Sequence, residues 1–168
     1  MNHQPETRGG DPKFSAKRAT DSQITLTHQT NPADANPLGA VHGGVLMKLV
    51  DEAGGLAAIR FARKPAVTVA LDSMTFLSPV RVGNVLTMHA SVNWVGKSSI
   101  EVGVRVEAEN PVTGEITHTN TAYLVYVAVD ENGKPSTVPP LILETAEEKR
   151  RWEEADARQK NRLARAKK

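Results

Sequence analysis

Two glycines, an aspartate and an asparagine are the groups whose types and spacing could act on a substrate carbonyl. Gly43 and Gly44 stand where an apolar, periodic segment begins. At a helix N-terminus the unpaired amide donors and the positive end of the helix dipole suit an oxyanion. Without β-carbons, the two glycines also let a carbonyl come close to the backbone. Asp51 follows Gly44 by seven residues, which sets it two turns further on, within about 20° of the same azimuth and about 10 Å along the axis. Leu46, Leu49, Val50, Ala53 and Ala57 make the apolar face, so Asp51 borders that face and does not stand on the plainly solvated side. Asn36, an amide donor and acceptor, lies in the loop before the glycines. His42 directly precedes them, placed to orient the loop or to meet a substrate.

Other chemistries find no support in the residues. There is no cysteine, which removes disulfides, thiol nucleophiles and zinc ribbons. The histidines and carboxylates show no metal-ligand spacing, so no metal is expected. No Gly-x-Ser-x-Gly elbow, phosphate-binding loop or dinucleotide fingerprint occurs. The pI near 9.0 hints at nucleic acid, but the charge sits in the tails: +2 over residues 1–20, +3 over residues 143–168, and −3 over the stretch between them. Basic residues are not interleaved with aromatic ones, so nucleic-acid binding is not expected. Nor is a membrane partner, because no apolar run approaches the roughly 20 residues a span requires. The first 18 residues contain no apolar stretch of the secretory kind, and the cytoplasm is the expected address.

The elements that must position these groups follow from periodicity. With 168 residues, 39% of them hydrophobic, the chain fits one domain with appendages. Residues 1–20 read as a disordered leader. A short strand, Ser22 to Gln29, follows. The segment NPADANPLGAVHGG (31–44) is a bent loop, rich in Pro, Asn and Gly. Apolar spacings of three and four then predict a helix from Gly44 to about Phe61, ended by Pro65. Beyond Pro65 the period changes to alternation through AVTVALDSMTF, VLTMHASVNWV, SSIEVGVRVEAE and EITHTNTAYLVYVAV, four long strands of a largely antiparallel sheet with one buried face. Such strands are long enough to curl around the helix. Gly54 and Gly55 in mid-helix each cost about 1 kcal/mol against alanine, which calls for the close approach of a wrapping sheet or of a ligand. The polar tail 141–168 is expected to form a solvated or fraying helix. Open sheet edges make a homodimer the minimum assembly.

ANPLGAVHGGVLMKLVDEAGGLAA, VTVALDSMTFLSPVRVGNVL, VGKSSIEVGVRVEAENPVTGE and YLVYVAVDENGKP, in this order, resemble the acyl-CoA thioesterases of the hot-dog superfamily, of the type that includes the tandem-domain brain acyl-CoA hydrolase. The likeness covers about residues 22–140, so 21–140 is taken as the domain. It implies an α+β hot-dog fold, a long antiparallel sheet wrapped around one central helix, here with a C-terminal helical tail. It also implies hydrolysis of acyl-CoA to a free acid and coenzyme A, with coenzyme A as part of the substrate and no separate cofactor. The family's catalytic asparagine and aspartate fall on Asn36 and Asp51, supplied to one site by different subunits. Its coenzyme A contacts fall on Val69, Ala70 and Leu71 and on Ser98 and Ser99. Ser98 and Ser99 read equally as hairpin residues of the GKSS turn, and Lys97, with Arg63 and Lys64, reads either as a contact to the phosphates or as a solubilising charge at an element end.

In that reading the Gly44 amide, beside Gly43, holds the thioester carbonyl, and Asp51 serves as general base or as nucleophile. Asn36 orients the water or the carbonyl. The implied assembly is a trimer of dimers. A hot-dog hydratase or dehydratase is the alternative reaction, disfavoured because the DEAGG helix carries no histidine. A non-catalytic acyl-CoA-binding module is the alternative class, disfavoured because Asn36 and Asp51 are both present.

Overall fold

The computed structural model describes residues 6–166. One helix, α1 (Gly43–Ala62), is wrapped by a five-stranded antiparallel sheet. Its strands are β3 (Ile24–Gln29), β4 (Ala66–Phe76), β5 (Val85–Val95), β6 (Ser99–Glu109) and β7 (Ile116–Ala128), in spatial order β3-β5-β6-β7-β4. The hot-dog expectation is met. Leu46, Leu49, Val50, Ala53, Ala57, Ala58 and Phe61 of α1 are buried against Leu86, Met88, Ile100, Val102, Val104 and Tyr126 of the sheet. The helix ends where Arg63 turns left-handed at φ 53° and its amide bonds the Ile59 carbonyl at 2.8 Å, ahead of Pro65.

Two appendages depart from the expectations. Residues 1–5 lie outside the described residues, but the rest of the leader is structured. There β1 (Glu6–Arg8) and β2 (Lys17–Arg18) flank β8 (Leu141–Leu143) in a three-stranded sheet. These strands are two or three residues long, too short to show a period. A 3-10 turn over Ala19–Ser22 then delays the next strand to Ile24.

The second departure is α2 (Ala146–Ala166). It starts on a capping box, in which Thr145 Oγ1 accepts from the Glu148 amide and Glu148 Oε2 accepts from the Thr145 amide. The helix is not merely solvated, for it lies on the outer face of the chain's own sheet. Ala155 is fully buried, Trp152 packs on the core, and Glu101, on the outward face of β6, is only 1% exposed beneath Arg158. The sheet is therefore covered on part of its second face as well.

Candidate active site

The loop before α1 is held by one carboxylate. Asp34 Oδ2 accepts from the Asn31 amide at 2.9 Å and lies 3.0 Å from His28 Nε2, while the Asp34 carbonyl accepts from the His42 amide at 2.8 Å. The Asn31 amide and the His28 ring hold the Asp34 carboxyl below the usual carboxylate range. Two residues on, the Asn36 amide bonds the Ala40 carbonyl at 2.7 Å, and Asn36 Oδ1 accepts from the amides of Leu38 (2.9 Å) and Ala40 (3.2 Å). Its carbonyl oxygen is thus spent on its own loop, and Nδ2 is the group left to offer a substrate. Asn36 lines a cleft of about 320 Å³ with Gly43, Leu46, Phe76, Leu77 and Pro79.

The oxyanion expectation needs a correction here. His42 caps α1, and its Nδ1 accepts the Gly44 amide at 2.9 Å, so the Gly44 donor is already satisfied. The Gly43 amide has no acceptor among the described residues, and Gly43 lines the cleft with Asn36. His42 accordingly serves the helix cap.

Asp51 stands on the other cleft. Its Oδ1 accepts from Thr68 Oγ1 at 2.7 Å and from the Tyr126 hydroxyl at 3.2 Å; the same hydroxyl is 3.1 Å from the Asp51 carbonyl. Both side-chain donors fall on Oδ1, which leaves Oδ2 to a groove of about 410 Å³ lined by Leu26, Gly55, Leu56, Thr68 and Tyr126. Burial, and then the negative charge of Asp51, push the Tyr126 phenol well above its ordinary range, so it remains a donor. A β-carbon on Gly54 would lie 2.4 Å from the Tyr126 oxygen. That contact explains the mid-helix glycine: the wrapping sheet makes the close approach, while Gly55 opens onto the groove.

The other candidates lie apart from both clefts. Val69, Ala70 and Leu71 belong to the exposed edge strand β4, with Val69 bulged out of register between the Thr68–Tyr126 and Ala70–Val125 pairs. Lys97, Ser98 and Ser99 form the β5–β6 hairpin, where their carbonyls accept from Val138, Ala128 and Gly96. Lys64 is committed to Ser136 Oγ and the Thr137 carbonyl, both at 2.8 Å, and Arg63 closes α1. Among the described residues no three His, Asp or Glu side chains gather as metal ligands would. No described helix is long and apolar enough to cross a membrane.

Comparison with known proteins decides the family. The thioesterase superfamily model matches residues 38–115. The uncharacterized acyl-CoA thioester hydrolase YkhA of Bacillus subtilis is 38% identical over 76% of this chain and 74% of its own. The chain belongs to the hot-dog acyl-CoA thioesterases. A hexameric acyl-CoA thioesterase superposes on this thioesterase with a TM-score of 0.87 and 40% identity, covering 91% of this chain and 98% of the other. An acyl-CoA hydrolase of Staphylococcus aureus, solved with butyryl coenzyme A and coenzyme A, gives 0.83 and 32% over 90% and 92%. That enzyme was also solved with an asparagine, an aspartate and a threonine each replaced by alanine. The three are spaced along its chain as Asn36, Asp51 and Thr68 are along this one.

Sequence reasoning missed Thr68 and Tyr126 in this thioesterase. Alternation puts Ala122, Leu124, Tyr126 and Ala128 on one face of β7, but only the register across the sheet brings Tyr126 to Asp51. The available signal was Gly54, whose missing side chain implies a bulky neighbour.

Proposed function

We propose that this thioesterase hydrolyses acyl-CoA to a free carboxylic acid and coenzyme A at a site completed between two subunits. One observation carries the reading: within one chain Asn36 with Gly43 and Asp51 with Thr68 line separate clefts, which supports a site whose two halves come from two copies. The edge strand β4, on which Val67, Val69 and Leu71 are exposed, supplies an edge where that copy can pair. The thioester carbonyl lies against the Gly43 amide and Asn36 Nδ2 of one subunit. Asp51 Oδ2 of the other takes a proton from water as that water attacks the carbonyl carbon. The tetrahedral oxyanion then collapses, the C–S bond breaks, and the proton passes to the leaving thiolate. Thr68 and Tyr126 keep Asp51 pointed at the water.

Val69, Ala70, Leu71, Ser98, Ser99 and Lys97 contact the coenzyme A portion once subunits assemble. The functional assembly is a trimer of dimers working in the cytoplasm, and the reaction uses no cofactor beyond the substrate's own coenzyme A. A panel of acyl-CoAs assayed with a thiol reagent tests the reaction; absence of turnover on every chain length would overturn it. Asp51→Ala should lower kcat by about 100-fold or more with an unchanged circular dichroism spectrum, the loss ordinary for a general base. Wild-type turnover in that variant would remove Asp51 from the mechanism.

A further inference from the structure

Helix α2 crosses the outer face of the sheet and touches four neighbouring strands through polar groups. Asp156 accepts the Trp94 Nε1 proton of β5 at 3.2 Å. Arg158 donates to Glu101 of β6 at 2.7 Å and stacks on the Tyr123 ring of β7 at 3.8 Å from its centroid. Arg162 pairs with Asp72 of β4. These anchors follow the spatial order β5-β6-β7-β4. Asp156 and Arg162 are about 9 Å apart along the helix, and the four strands span about 14 Å; the long Arg162 side chain reaches over the difference.

The last anchor falls on an irregularity. Leu71 pairs with Leu124 and Ser73 with Tyr123, so Asp72 is the extra residue of a bulge in β4. Arg162 holds the bulged residue, and Arg158 holds Tyr123, the partner of the residue that follows it. A bulge bends its strand and re-aims the side chains beside it. Thr68, the donor to Asp51, is four residues upstream on the same edge strand. An edge strand has one neighbour in the sheet, and α2 gives it a second tether.

We propose that α2 is a crossbar that sets the course of β4, which makes Asp72 and Arg162 positioning residues for the thioesterase. The proposal rests on the reading of Asp51 and Thr68 given above. Arg162→Ala should lower kcat about tenfold, in keeping with a small displacement of Asp51's donor, with KM moving less than about threefold. Arg162→Lys should recover most of the loss. The exchanged pair Asp72→Arg with Arg162→Asp should come closer to wild type than either single variant does. Arg150→Ala, whose partners Glu147 and Glu154 lie on α2 itself, serves as the control.

Hydrogen exchange supplies a readout independent of activity: residues 66–76 should exchange faster in Arg162→Ala while β5 and β6 remain as in wild type. Unchanged exchange overturns the crossbar. Faster exchange with wild-type kcat overturns the positioning role. If the wild-type protein hydrolyses no acyl-CoA, the functional reading falls, and the exchange data still decide whether α2 holds β4.

Discussion

Gly54 gives up about 1 kcal/mol of helix propensity because the Tyr126 oxygen occupies the space a methyl group would take. Gly54→Ala should therefore destabilise the fold by about 1–3 kcal/mol, the range for overpacking, despite alanine's helix preference. Gly55→Ala meets only the Tyr126 ring at 3.6 Å and should stabilise by up to about 1 kcal/mol. Urea unfolding of the two variants measures the difference, and equal midpoints would mean that Tyr126 does not press on the helix. The same tyrosine shows what was legible at this scale. Asp51 was visible as a carboxylate bordering an apolar stripe, and Asn36 through the motif around it. Thr68 and Tyr126 lie 17 and 75 residues from Asp51 in sequence, and nothing local announces a bond across such distances. His28, which has no obvious role in the sequence, braces the Asn36 loop through Asp34.

The elements within the domain were legible because each bears its own period: α1 and the four long strands lie where the spacing of apolar residues puts them. Helix α2 was legible as a helix, but its docking was not, since it binds by ion pairs, a stacked arginine and two apolar side chains, Trp152 and Ala155, instead of a continuous apolar stripe. That mode of docking has a pH signature. Burial raises the Glu101 carboxyl above its ordinary value of 4.5, and Arg158 opposes the shift only in part. The folded chain thus keeps a proton on Glu101 at pH values where the unfolded chain has released it. The associated stability is complete below pH 4.5 and is lost as the pH rises through the raised value. Glu101→Gln is neutral throughout, so its urea midpoint should improve relative to wild type as the pH climbs from about 4.5. A constant difference between the two proteins across that range would contradict the assignment.

For the whole molecule, Val67, Val69 and Leu71 on β4 and Leu56 and Ile59 on α1 remain exposed, around an edge strand with unpaired backbone groups. An apolar surface beside an open edge calls for a second copy. Asn36→Ala and Asp51→Ala should each be inactive alone. After subunit exchange in equal mixture, activity should return to about a quarter of wild type, because half of the random dimers are mixed and each mixed dimer holds one intact site of two. No recovery after verified exchange would place both residues in one subunit's site. Periodicity and the order of motifs are local properties of a chain. They sufficed for the hot-dog architecture, the helix that carries Asp51 and the loop that carries Asn36. Which amide stays open beside that loop, which donors reach Asp51, and where α2 comes to rest were decided only by tertiary structure. Each depends on strand order, register and side-chain direction between segments far apart, and a period fixes the face a residue occupies without naming the residue it will meet.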